Sequence, residues 1–181
     1  MKMDARVRYT KMVVRESLLK LLAEKPIQKV TVKEICELSQ INRATFYTHY
    51  QDPYDLLTQI ENELFNDISS TLMMKLDDID NMMKEIFLVI GKNIDLCRVL
   101  FSDNGDKTFL RRILDVSREL TLSGWRMQYP RASQQQIEYL YAFVIGGSGA
   151  VIEQWVRSGM QETPVKLADV ARKVSDDWLL A

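Results

Sequence analysis

The stretch 31–50, TVKEICELSQINRATFYTHY, constrains the fold of this chain more than any other. Thr31 can cap a helix through its hydroxyl while Glu34 reaches back to the backbone of Thr31, a T-x-x-E capping box that marks a helix start. Val32, Ile35, Cys36 and Leu38 make one apolar face, which Ser39 and Gln40 interrupt. Ile41 supplies an apolar anchor in the turn, and Asn42 can cap a second helix carrying Arg43, Thr45, Phe46 and Tyr47. Two short helices joined this tightly form a helix-turn-helix pair, which alone buries too little apolar surface to stand.

The missing cover is at hand. Residues 6–24 place Val14, Leu18, Leu21 and Leu22 on one helical face, and Pro26 ends that helix. Its apolar face completes a three-helix core with Ile35, Ile41 and Phe46; Phe46 is expected inside as the partner of Ile41. Lys11 and Arg15 lie on other faces, where they either approach a nucleic-acid backbone or are simply solvated.

Beyond this head the pattern stays helical. The chain has only seven glycines and four prolines in 181 residues, and almost no strand-like alternation, which favours an all-α fold. Asp52 as cap and Pro53 at the first position open a fourth helix with Leu56, Leu57, Ile60, Leu64 and Ile68 at helical spacing. Asp77, Asp78 and Asp80 mark a polar break. A helix over residues 81–101 follows, then a turn at Asn104 and Gly105, a helix over 109–125, a long one over 134–157 capped by Ser133 and ended by Gly159, and a last one from Pro164 to about residue 180. The long helix contains Gly146, Gly147 and Gly149. Each costs about 1 kcal/mol relative to alanine, so close approach of another helix is the expected compensation. The chain is expected to divide into 1–51, a helix-turn-helix unit, and 52–181, a helical-bundle unit.

Charge divides at the same place. Residues 1–50 carry ten Lys or Arg against five Asp or Glu, while the rest carry 14 against 20. A basic head on an acidic body suits a head that meets phosphate. No run of about 18 uncharged apolar residues is present, and the first residues are charged (Lys2, Asp4, Arg6, Arg8), so a cytoplasmic protein with no membrane partner is expected. Cys36 and Cys97 sit singly in apolar helical patterns, consistent with buried thiols rather than a disulfide or metal site. His49 is the only histidine, and no nucleophile-base, paired-carboxylate or metal-ligand spacing accompanies it. An enzyme is therefore not expected, and neither a cofactor nor a metal.

The run TVKEICELSQINRATFYTHYQDPYDLL resembles, without a gap through Leu57, the N-terminal signature of the TetR family of transcriptional regulators. The segment YAFVIGGSGAVIEQWVRSGMQETPVKLADVARKV resembles the C-terminal end of regulators of that family common in Gram-positive bacteria. The resemblance implies that the third helix enters a DNA major groove, with Asn42, Arg43 and Thr45 at base edges and Tyr47 and His49 at phosphates. Thr31, at the amino end of the second helix, would meet a further phosphate. The chemistry agrees: Arg forks onto guanine, Thr offers a hydroxyl or methyl, and Asn pairs with adenine or caps the helix. Two departures stand out. Ser39 and Gln40 replace the usual glycine or alanine of the turn, and Gln51-Asp52-Pro53 replaces a phosphate-contacting lysine.

The same resemblance implies a homodimer through the last two helices, for which Phe143, Val144, Val151, Trp155 and Val170 are candidates. Met83, Phe87, Trp125 and Tyr129, with Met73, Met74 and Met82, are candidates to line a pocket for a small apolar or amphipathic ligand, or else plain bundle core. The expected protein is a homodimeric repressor, released from a palindromic DNA operator by a small ligand. The alternative is an activator or co-regulator whose body binds a protein partner.

Overall fold

The computed structural model describes residues 5–74, 79–102 and 107–179, and among them all regular structure is helical. The helices are α1 (Ala5–Glu24), α2 (Val32–Ser39), α3 (Arg43–Tyr47), α4 (Pro53–Met74), α5 (Ile79–Lys92), α6 (Ile94–Leu100), α7 (Lys107–Gln128), α8 (Gln134–Arg157) and α9 (Pro164–Leu179). A 3-10 turn, Ile27–Lys29, links α1 to α2.

In the head, Val14, Leu18 and Leu22 recur every fourth residue along α1 and are buried against Ile35 of α2 and Phe46 of α3. The expected apolar face of α2 needs one correction. Leu38 is 52% exposed, whereas Ser39 is buried and its hydroxyl donates to the Ile35 carbonyl at 2.6 Å. Helical period decides this: residues 32, 35, 36 and 39 share a face, and 38 falls off it despite its side chain. Gln40 supplies the left-handed turn residue itself, at φ 54° and ψ 37°, and the Ile41 N–H closes on the Cys36 carbonyl at 3.1 Å. A non-glycine residue there costs roughly 1–2 kcal/mol.

Asp52 caps α4 by accepting from the Asp55 N–H at 2.8 Å, while the Asp55 carboxylate accepts from the Gln51 N–H at 2.9 Å. Leu56, Ile60, Leu64 and Ile68 form its buried stripe, with Leu57 half-buried beside it. One apolar cluster runs from Val14 of α1 through Leu56 and Phe87 to Leu167 of α9, so the segments on either side of residue 51 share a core. Besides α2, α1 packs on α4 and on α6 of the body.

The single helix expected over 81–101 is two helices. Asn93, at φ −111° and ψ 32°, separates α5 from α6, and its side-chain amide donates to the Val89 carbonyl at 3.0 Å. Gly91 lies two residues before the break, and the asparagine terminates α5 with its own side chain. The expected breaks at Asp77, Asp78 and at Asn104, Gly105 lie outside the described residues. α5 packs most extensively on α9. Gly91 makes their approach possible, because a Cβ there would stand 2.8 Å from Cγ of Pro164. The glycines of α8 behave otherwise. Among the described residues nothing lies within 4 Å of a Cβ added at Gly146, Gly147 or Gly149, so none of them fills these positions by close approach.

Candidate nucleic-acid interface

α3 is short and held at one point. Its buried residue is Phe46, whose ring meets Tyr47 edge-on at 5.7 Å and lies 5.5 Å from Tyr50. Asn42 caps the helix by accepting from the Thr45 N–H at 2.7 Å, and stays exposed. Its Oδ1 is thereby committed to the cap, leaving the amide NH2 for any outward contact. Arg43 is exposed, Tyr47 is 57% exposed, and Thr45 and His49 are half-buried. Gln59 of α4 donates to the His49 carbonyl at 3.5 Å, and the His49 ring lies 6.1 Å from that of Tyr50.

Sequence reasoning passed over two residues of this surface, Ala44 and Thr48, both exposed. The signal was present: with Phe46 inward, 43 and 47 form one outward row and 44 and 48 the next. Thr48 spends its hydroxyl proton on the Thr45 carbonyl at 2.6 Å. Ala44 offers a bare methyl, the group that packs against thymine methyls.

The amino end of α2 is more occupied than expected. The Thr31 hydroxyl accepts from the Glu34 N–H at 3.3 Å and donates to the Glu34 carboxylate at 2.8 Å, which also accepts from the Thr31 N–H at 3.0 Å. Lys25 adds an ion pair to the same carboxylate. The hydrogen bonds from Lys25 and then Thr31 hold the Glu34 carboxyl down to about 2. An incoming phosphate at this helix end competes with a carboxylate already in place. The start of α4 is similar, with Asp52 and Asp55 filling the place where a lysine was missing.

Of the α1 cations, Lys11 is half-buried and Arg15 turns inward to the body, bonding Glu63 at 3.2 Å and Asn93 at 2.8 Å. The pocket candidates do not come together. Phe87 is fully buried against Trp155, 6.4 Å between ring centres, in the main core. Trp125 and Tyr129 belong to a second cluster with Leu122, Ile137 and Tyr141. The side chains of Met73, Met74, Met82 and Met83 lie outside the described residues. Among the dimer candidates, Phe143 is 41% and Val170 45% exposed, while Val144 and Val151 are half-buried. Trp155 is buried within its own chain, with its indole N–H donating to the Glu162 carbonyl at 3.0 Å, and so has little surface for a second copy. Among the described residues no helix is long and apolar enough to cross a membrane.

The family model described as the transcriptional regulator C-terminal region of the TetR type matches residues 77–177, more than half of the chain. A relative from Bacillus subtilis (strain 168), the uncharacterised HTH-type transcriptional regulator YxbF, is 28% identical over 69 residues; that match covers 38% of this chain and 18% of the relative's length. Three solved structures align along nearly the whole chain. The fatty acid degradation regulator FadR from Bacillus halodurans is 12% identical, covering 97% of this chain and 96% of its own, with a TM-score of 0.70. A TetR transcriptional regulator from Streptococcus agalactiae 2603V is 20% identical, covering 94% and 95%, at 0.61. The dihydroxyacetone kinase operon activator DhaS is 16% identical, covering 93% and 95%, at 0.64. At these identities the structural likeness is one of fold. The C-terminal match, spanning α5 to α9, makes the stronger statement: this chain belongs to the TetR family of transcriptional regulators.

Proposed function

We propose that the chain is a homodimeric, sequence-specific DNA-binding regulator that reads a palindromic operator with α3. The outward surface of α3 carries this reading: Asn42, Arg43, Ala44, Tyr47 and Thr48 all face solvent on a helix that Phe46 pins to the core. Arg43, Thr45 and the Asn42 amide read base edges, with Ala44 placed for a thymine methyl. Tyr47 and His49 meet phosphates. Thr31 does so only by giving up its bond to Glu34.

The dimer forms through α8 and α9. Tyr139, Phe143, Gly146, Gly147 and Ala150 make an exposed row along α8, beside Val165 and Val170 of α9. Glycines that none of the described residues approaches are explained when the helix of a second copy does so. Two heads on such a dimer address successive major grooves about 34–36 Å apart, or somewhat further. The regulator acts as a repressor, and a small apolar or amphipathic ligand entering between the Phe87 and Trp125 clusters releases it. Among the described residues Phe87 and Trp125 fall in different apolar clusters, and a ligand seated between them would join the two. The second reading, an activator or co-regulator whose body binds a protein, is favoured by the fold shared with the activator DhaS.

Footprinting on an operator selected from random duplexes tests the assignment. Tyr47→Phe and His49→Ala should weaken binding to all sequences, whereas Arg43→Ala and Thr45→Ala should change which sequence is preferred. Unchanged affinity and preference in all four removes α3 from the interface.

A further inference from the structure

The seam between head and body contains a polar tie whose members lie far apart in sequence. Arg15 leaves α1 one residue after buried Val14, and its guanidinium divides between α4 and the junction of α5 with α6. Nη1 donates to Oε2 of Glu63 on α4 at 3.2 Å, and Nη2 donates to Oδ1 of Asn93 at 2.8 Å. The side chain is only 28% exposed. Asn93 is itself the break between α5 and α6. Its amide nitrogen donates to Val89 at the end of α5, and its carbonyl accepts from the Cys97 N–H of α6 at 2.9 Å.

We infer that Arg15 is the positioning residue that sets the angle of the DNA-binding head on the body, acting through Asn93. This rests on the proposed DNA-binding function and adds a residue to it that touches no DNA. Arg15 belongs to the head, because α1 shares its buried Val14, Leu18 and Leu22 with Ile35 and Phe46. Asn93 belongs to the body, and every helix that meets at it moves when it moves. A planar guanidinium with diverging donors holds two acceptors in fixed directions, which a lysine ammonium does not. Glu63 is mostly exposed and contributes little by itself, so the short, less exposed bond to Asn93 carries the geometry. Because Phe46 fixes α3 to the same core as α1, a tilt of α1 is a tilt of α3. In a dimer the two heads bind together only at the half-site separation their angle allows.

The test uses the full-length protein and an operator selected from random duplexes by the wild type, together with copies whose centre is one base pair longer or shorter. Wild type should lose about tenfold in affinity when the centre changes length, because only one head then seats well. Arg15→Ala should bind the selected operator several-fold more weakly while nearly losing its dependence on centre length. Its affinity for a single half-site duplex should stay unchanged, which also shows that the head is folded. Asn93→Ala should reproduce this pattern, and the double variant should be no worse than either single one. An Arg15→Ala protein that keeps the wild-type dependence on centre length overturns the inference and leaves the DNA-binding reading intact. A wild type that enriches no sequence overturns both.

Discussion

The two short helices of the head are started by contacts between near neighbours in sequence, whereas the α5–α6 junction of the body is set by contacts between distant ones. In the head the helix starts are closed by side chains three residues away, Thr31 with Glu34 and Asn42 with Thr45, and Asp52 with Asp55 opens the first body helix in the same way. In the body, α6 begins at Asn93 with no side-chain cap, and its position follows from Arg15 of α1 and from burial of Leu96, Cys97, Val99 and Leu100. The difference suits two tasks. A surface that reads a rigid duplex benefits from local closure, and a regulatory body benefits from helix junctions whose geometry depends on packing.

The contrast can be broken first at the core. Phe46 is the only buried residue of α3, so Phe46→Ala should cost about 3–5 kcal/mol in the head and abolish DNA binding. Urea unfolding followed together with DNA binding checks this, and a stable variant that binds would show that α3 is held by something else. Glycines in the body give the next effect. Gly91→Ala drives a methyl to within 2.8 Å of Pro164 and should cost about 1–3 kcal/mol. Gly147→Ala, with nothing within 4 Å of the new methyl among the described residues, should gain up to about 1 kcal/mol in monomer stability yet weaken self-association. Thermal unfolding and sedimentation separate the two.

The smallest effect lies at the cap of α2, where Thr31→Ala should cost about 1 kcal/mol at neutral pH. Its dependence on acid has a definite sign. Glu34 has its folded value held near 2 against an ordinary 4.5, so its contribution is complete above pH 4.5 and disappears as pH falls through 2. Wild type should therefore lose more stability between pH 5 and pH 2 than Glu34→Gln. Equal acid losses would mean that this network contributes nothing to the head.

The same local-versus-distant division explains what could be read from residues alone. The two caps at Thr31 and Asn42, the start at Pro53 and the inward Phe46 all depend on spacings of three or four residues, and the structure has them as expected. Leu38 faces out and Ser39 in because helical period, not side-chain hydrophobicity, decides which of the two meets the core. The α5–α6 break left only Gly91 and Asn93 inside an unbroken apolar pattern, and the Arg15–Asn93 bond had no local signal, since the partners are 78 residues apart. For the pocket, residue type suggested that Phe87 and Trp125 belong together, and packing puts them in separate clusters.

Salt dependence of binding to the selected operator tests the central claim most directly. If α3 reads bases while Tyr47, His49 and their neighbours meet phosphates, the logarithm of affinity must fall linearly and steeply with the logarithm of salt concentration. Tyr47→Phe should lower affinity for operator and random duplex alike while leaving that slope nearly unchanged, because a neutral hydroxyl releases no counterion, and Arg43→Ala should lower the preference for the operator over random duplex. A wild-type affinity that does not change with salt, or that is equal for operator and random duplex, contradicts the account.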